Sequence, residues 1–512
     1  MKKINIQILS TIAASAVMSV ADGHREAKPP EGRPNIIFIL ADDMGVGDVS
    51  GLNAQAKLAT PHLDAMIRGG MKFTDAHTSS AVCTPTRYGL LTGRYNWRSE
   101  LKGMVVNGYG KAVIAPDRSI VADILKSKGY KTAMIGKWHL GLNWKTKDGS
   151  PITDWTPPKM DDKIDFTQPF TGGPLDCGFD TYYGINASLD FPPYTFLNGD
   201  RVTVVPTELR PRQGRKKNDT LQLMMRGGLQ VPGFRPEKVL QHFSEKAVAY
   251  IEAQQEGVPF FLYLPLNSPH TPVVPREEFK GTSQCGIYGD FVQEADWTVG
   301  QIVMALEKTG LLENTLLIFS ADNGASRVSF SLEKEEQFDH HPSGIYRGRK
   351  GDLHEGGHRV PFIVQWPAAI TPGTACDVPC NLNDFYATCA ELVGKPLADT
   401  EAEDSFSMVP LLKGRSGGYS RTSMVHHDYS GQFGFRDGPW KLKYNRGGNY
   451  ELHDLSADPA EKKNLYKTHP ERVELMAKML TKIVEDGRST PGAPQKNDGP
   501  KWWEQLVWME KR

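Results

Sequence analysis

The chain has 512 residues, with 60 basic and 60 acidic side chains, a formal net charge of zero and 39% hydrophobic content. The charge balance excludes a nucleic-acid binder that relies on a global basic field. The length exceeds what one hydrophobic core ordinarily supports and predicts one large domain with a smaller one.

At the N-terminus Lys2 and Lys3 precede an apolar stretch over 4–20 that closes in Ser19-Val20-Ala21. A basic region, an apolar run and small residues at the end predict a signal peptide over 1–21, a linker over 22–33, and an exported protein, periplasmic or secreted. Asn5, Gln7, Ser10 and Thr11 interrupt that short stretch, which argues against a stable membrane anchor. The run Asn-Ile-Ile-Phe-Ile-Leu over 35–40 reads as a buried strand. A helix is predicted over 119–128 with Ser119 as N-cap and Gly129 ending it, then a strand over 131–135. The alternation continues with a helix over 239–253, a strand over 259–264, a helix over 290–307 and a strand over 315–319. Such β–α alternation predicts an α/β fold, a large mostly parallel sheet sandwiched by helices. After about residue 415 the chain becomes rich in Gly, Tyr and His, with strand-like runs over 440–444 and 450–453 and a helix over 470–484. We read 34–415 as the large domain and 416–512 as a smaller C-terminal antiparallel sheet plus helix subdomain. The tail residues Trp502, Trp503 and Trp508 are expected to pack on the body rather than stack on carbohydrate.

In open α/β sheets, ligands bind at the carboxyl ends of the strands. Here those ends carry Asp42-Asp43, Gly136-Lys137-Trp138-His139, Asn267-Ser268-Pro269-His270 and Asp322-Asn323. Asp42, Asp43, Asp322 and Asn323 make a hard-oxygen set suited to Ca²⁺ or Mg²⁺ and lacking the Cys/His character that zinc prefers. Taken singly, an Asp-Asp pair is usually solvated, Asp-Asn-Gly is usually a turn, and a lone cysteine is usually a small buried hydrophobe. Their convergence at one rim is what points to chemistry.

The run Cys83-Thr84-Pro85-Thr86-Arg87, continuing into Leu91-Thr92-Gly93-Arg94, resembles the modification signature of the formylglycine-dependent sulfatases. Gly136-Lys-Trp-His-Leu-Gly141, Ser268-Pro-His270, Ala321-Asp-Asn-Gly324 and Arg347-Gly-Arg-Lys350, followed by Glu355-Gly-Gly-His-Arg-Val-Pro361, are similar to that family's pattern and keep its order. The segments over 440–442 and 455–466 are similar to its C-terminal region, and 281–290 looks most like the arylsulfatase and N-acetylgalactosamine-6-sulfatase branches. The resemblance implies an alkaline-phosphatase-like fold and hydrolysis of a sulfuric ester, on a sulfated small molecule or saccharide. It implies that a formylglycine-generating or sulfatase-maturing enzyme oxidises Cys83 to formylglycine (3-oxoalanine), whose hydrate is the nucleophile. It further implies Ca²⁺, with Mg²⁺ possible, on Asp42, Asp43, Asp322, Asn323 and residue 83. In the family's terms Arg87 steadies the nucleophile, Lys137 and Lys350 bind the sulfate, His270 protonates the leaving alcohol, and His139 is the base. Ser188 aligns loosely with a serine near the sulfate. Thr86 stands where Ser is commoner, and His354 where an aromatic often precedes Glu-Gly-Gly. Asn107, Tyr109, Asp339, His340, His341, Arg347 and His354 flank these motifs and are expected at the pocket wall or on ordinary surface loops. Two other readings stay open: a phosphomonoester or phosphonate hydrolase on the same fold, and a binding protein in which Cys83 stays a thiol. With Cys83 modified, five cysteines remain, so at most two disulfides form; Cys376 and Cys380 are near enough in sequence to pair.

Overall fold

Seven consecutive buried residues form β1 (Asn35–Ala41), a pattern that requires cover on both faces of the strand. The computed structural model describes residues 32–211 and 224–509, so the predicted signal peptide lies outside the described residues. Other elements used below are α1 (Cys83–Thr92), α2 (Val121–Lys126), β2 (Lys131–Lys137), β3 (Thr181–Ile185), α3 (Val239–Glu252), β4 (Phe260–Pro265), α4 (Gly286–Lys308), β5 (Thr315–Ala321) and β6 (Phe362–Gln365). Among the described residues the main sheet has ten strands, with β6-β5-β1-β4-β2-β3 at its centre and short strands at both edges. β5, β1, β4, β2 and β3 run parallel, and β6 is antiparallel to β5.

The period of two along β1 divides its side chains between two cores. Ile36, Phe38 and Leu40 pack with Leu90 and Leu91 of α1 and Ile124 of α2. Ile37 and Ile39 pack with Leu240 and Phe243 of α3 and Phe291 and Val292 of α4. The fold is therefore the predicted α/β sandwich, and the parallel register puts the ends of β1, β4, β2 and β5 on one rim.

Beyond the sheet, β7 (Ser423–His427), β8 (Phe433–Asp437), β9 (Trp440–Tyr444) and β10 (Tyr450–Asp454) form an antiparallel meander. α5 (Pro470–Glu485) covers it through Met476, Leu480 and Val484. The tail packs as expected: Trp508 stacks on Tyr444 at 4.8 Å and its indole N–H donates to Thr481 Oγ1, while Trp503 is buried beside Trp97.

Two local expectations change. Ser119 is not the N-cap of α2. Ile120 holds that position and its N–H is accepted by Asp123 (2.8 Å), while the Ser119 hydroxyl pairs with Tyr386 (3.1 Å). All six cysteines are free. Cys376, in register with Phe73, and Cys380, in register with Ala76, are among them, so the pair near in sequence is not bridged. No helix among the described residues is long and apolar enough to cross a membrane.

Candidate active site

Backbone hydrogen bonds lock three strand ends together: Asp42 N donates to Ser268 O (2.9 Å) and Asp322 N to Ala41 O (3.1 Å). Asp43 turns into the left-handed region at φ +67, aiming its N–H at Asp322 Oδ1 (3.1 Å). Gly324 closes the Asp-Asn-Gly segment because a Cβ there would lie 1.9 Å from Gly356 O. Only glycine lets the 356 loop come this close.

Each of the three carboxylates, all buried, has its own cation. Lys137 Nζ lies 2.6 Å from Asp42 Oδ2, Lys350 Nζ 2.6 Å from Asp43 Oδ1, and Arg87 gives Nε and Nη2 to Asp322 Oδ2 (3.0 and 2.7 Å). Asn323 Nδ2 also donates to Asp43 Oδ1 (2.7 Å). Even so, Asp42 Oδ1, Asp43 Oδ2 and Asn323 Oδ1 are buried without a hydrogen-bond partner. Buried acceptors left this way are costly unless something else meets them. Their oxygen-only chemistry fits a hard divalent cation, so the residues present match the group that the resemblance implies. Cys83 Sγ lies within 4.8 Å of ligand atoms on Asp42 and Asp322. It opens α1, the helix end where backbone N–H groups favour negative charge.

These contacts set the protonation states. Burial pushes Asp42 up, but Lys137, His270, Arg87 and Lys350 outweigh it and hold the carboxyl well below its usual range. Asp322, buried and facing Asp42, is pushed up to about 6. Burial, then Lys137 and Arg87, keep His139 neutral. Burial raises the Cys83 thiol.

His139 sits at φ +57, with Nε2 on Val106 O (2.9 Å) and Nδ1 unpartnered. The ring therefore offers a lone pair at Nδ1. His270 Nδ1 binds Thr271 O (2.5 Å), and its Nε2 lies 3.7 Å from Asp43 Oδ2. Ser188 stands apart, giving its hydroxyl to Asp190 Oδ1 (2.7 Å). Arg87 is fully buried and committed to Asp322 and Lys137 O (3.0 Å), and so acts first as the counter-ion of the carboxylates. Thr84 was not singled out in the sequence. Its Oγ1 donates to His139 O (2.9 Å) and accepts from Val106 N (3.2 Å), closing a frame around His139. Thr84 occupies a free position of the cysteine motif, so nothing in the sequence marks it.

The flanking residues divide. His340 is buried on Asp48 (2.8 Å) and cannot line a pocket. His341 pairs with Glu335 and Tyr109 OH with Asp161, while Asn107 Nδ2 donates to Pro157 O. Asp339 is an exposed partner of Lys57 (3.1 Å). Arg347 donates to Glu461 O, and His354 lies 3.7 Å from Glu451.

A second group of metal-ligand type, His77, His358 and His426, lies buried under the C-terminal sheet. The His358 and His426 rings stack at 3.8 Å with planes 11° apart, which sends their in-plane lone pairs side by side rather than to one point. His77 Nδ1 meets His358 Nδ1 (3.0 Å), His77 Nε2 meets Asp75 (2.6 Å), and Lys441 Nζ meets His358 Nε2 (2.9 Å). This is a hydrogen-bonded staple.

The profile of the family described as Sulfatase matches residues 34–395, and that of N-sulphoglucosamine sulphohydrolase, C-terminal, matches 346–489. The chain belongs to the sulfatase family. It is 34% identical to an N-acetylgalactosamine-6-O-sulfatase of Bacteroides thetaiotaomicron, over 88% of this chain and 93% of the relative. It is 32% identical to human arylsulfatase A, over 87% and 80% of the two chains. A solved structure from work on the metabolism of multiple glycosaminoglycans by Bacteroides thetaiotaomicron superposes with a TM-score of 0.76 at 31% identity, covering 88% of this chain and 99% of that one. A phosphonate monoester hydrolase of Agrobacterium radiobacter shares the fold, with a TM-score of 0.57 at 17% identity. As a family member the chain is an enzyme, a sulfuric ester hydrolase.

Proposed function

We propose that this sulfatase removes sulfate from an O-sulfated carbohydrate, and that the carboxylate cluster holds Ca²⁺, or Mg²⁺ in its place. The observation that carries this reading is the trio of buried oxygens on Asp42, Asp43 and Asn323 left without a hydrogen bond, beside the Cys83 that opens its helix. Formylglycine at position 83, made by a formylglycine-generating or sulfatase-maturing enzyme, would supply the nucleophilic oxygen, and the cation would favour its ionised form. Asp42, Asp43, Asp322, Asn323 and residue 83 are the ligands in this reading.

The other residues bind, orient and move protons. Lys137 and Lys350, already at the carboxylates, put positive charge where a sulfate must enter. His270 presents Nε2 to the leaving oxygen and binds substrate there, because its Nδ1 is occupied by Thr271 O. His139 accepts a proton at its free Nδ1. Arg87 holds Asp322 ionised and in place. Ser188 reaches the substrate only if Asp190 releases it. We assign the catalytic unit to 34–415 and the C-terminal subdomain to 416–512, in a protein exported by a signal peptide over 1–21.

The relative named N-acetylgalactosamine-6-O-sulfatase makes that 6-sulfated sugar the first substrate to try. The test is mass spectrometry of the Cys83 peptide from the native host, with desulfation rates on a panel of sulfated saccharides and phosphate esters. An intact thiol would overturn the nucleophile, and faster phosphate release would overturn the substrate class.

A further inference from the structure

Two large exposed side chains, tied by backbone hydrogen bonds to the segments that carry Lys350 and Cys83, take no part in the chemistry above. Met104 is 43% exposed and Tyr429 48%. Backbone bonds tie them to each other and to the reacting segments: Met104 N donates to Tyr429 O (2.8 Å), Tyr429 N to Gly351 O (3.3 Å), and Gly351 N to Ala81 O (2.8 Å). Gly351 follows Lys350, Ala81 stands two residues before Cys83, and Met104 two before Val106, whose carbonyl holds His139. The pair is thus anchored to the segments that deliver Lys350 and Cys83 and to the one whose carbonyl orients His139.

An exposed apolar residue by itself needs no explanation. These two are held in place, and Met104 sits at φ +65, a conformation that a long side chain adopts only where its surroundings impose it. Gly103 and Gly431 supply the cause. A Cβ at Gly103 would lie 2.8 Å from Gly431 N, and one at Gly431 (φ +79) 2.5 Å from Lys102 O. The loops meet glycine to glycine, which fixes residues 104 and 429 as neighbours. The Tyr429 turn is pinned on its far side as well, by Gln505 Nε2 donating to Ser430 O (3.1 Å).

A thioether beside a phenol ring suits the C–H face of a pyranose, and the phenol hydroxyl suits its hydroxyl rim. We propose that Met104 and Tyr429 form a sugar-stacking platform that makes this site select sulfated saccharides over sulfate esters without a ring. The proposal rests on the carbohydrate sulfatase reading above.

The test measures binding of N-acetylgalactosamine 6-sulfate and of inorganic sulfate to the full-length Cys83→Ala protein in Ca²⁺ by calorimetry, with Tyr429→Ala, Tyr429→Phe, Met104→Ala and Met104→Leu added in turn. Tyr429→Ala and Met104→Ala should each weaken the saccharide about tenfold more than inorganic sulfate, and Phe and Leu should restore most of the loss. In the active enzyme, the loss on the saccharide should fall on KM rather than kcat. Equal weakening of both probes, no weakening, or Tyr429→Phe as poor as Tyr429→Ala would overturn the platform. If wild-type enzyme turns over the saccharide while Tyr429→Ala matches it in KM, the platform alone fails. If wild-type enzyme hydrolyses no sulfated saccharide, the reading beneath it fails.

Discussion

Replacing Arg87 and Asp322 by leucine, singly and together, measures whether Arg87 is the counter-ion of the carboxylate floor. Both side chains are wholly buried and two guanidinium nitrogens reach one carboxylate oxygen, at 2.7 and 3.0 Å. Unit charges about 4 Å apart attract by about 4 kcal/mol at an effective dielectric near 20. Removing one partner of such a buried pair costs about 3–5 kcal/mol, because the other charge is left without compensation. Each single variant should therefore lose about 4 kcal/mol, and the double variant should lose little more than either, a coupling of about 3 kcal/mol. Arg87→Lys should fall between, since an ammonium keeps the charge but lacks the fork. The assay is guanidinium unfolding followed by tryptophan fluorescence, in chelator, on protein with unmodified Cys83. Single losses that simply add in the double variant would refute the counter-ion role and return Arg87 to the nucleophile.

Other outcomes are equally direct. Cys83→Ala should abolish turnover and leave circular dichroism and unfolding close to wild type; substantial residual sulfatase activity would contradict the nucleophile. His270→Ala should slow activated aryl sulfates, whose leaving groups need no proton, less than sugar sulfates; equal losses in kcat would remove it as proton donor. Ca²⁺ at a hundred times its Kd should raise stability by about 2.7 kcal/mol, and Asp43→Asn should shrink that gain; no shift with Ca²⁺ or Mg²⁺ would empty the proposed cation site. His427 is buried against Phe433 with both ring nitrogens partnerless, and burial, then Lys102, pushes it down to about 3. The unfolded chain protonates near 6.5, so the stability His427 contributes above that pH is lost as pH falls, by about 1.4 kcal/mol per unit. Relative to wild type, His427→Leu should gain about 2 kcal/mol between pH 6.5 and 5, read by hydrogen exchange of β7; a pH-independent difference would refute it.

What the sequence revealed follows from how locally each feature is determined. β1, β4 and β5 are covered on both faces and appear as unbroken apolar runs, so their positions and the polar residues at their ends were readable. The partners of those polar residues were not. Arg87 and Asp322 are 235 positions apart, and His340 and Asp48 are 292 apart. A helical turn says which way Arg87 leaves its own helix, not which strand end it meets. His340 looked like a pocket residue beside catalytic motifs until Asp48 claimed it. Thr84 and Val106 orient His139 through one hydroxyl and two backbone groups, and backbone groups carry no residue signature. Met104 and Tyr429 depend on two loops meeting at glycines, which no pattern within either loop encodes.

The strand β7 lies along the segment that precedes Cys83: Ala81 N donates to His427 O (2.7 Å) and His427 N to Ser79 O (3.1 Å). The Ser80–His427 contact spans 347 positions of sequence. A chain made from its N-terminus presents residues 79–81 long before the strand that pairs with them has been synthesised. In the folded chain Cys83 is 1% exposed. The C-terminal sheet therefore joins the segment before Cys83 only after some 350 further residues have been made, so the floor of the site is completed last and by the most distant part of the chain.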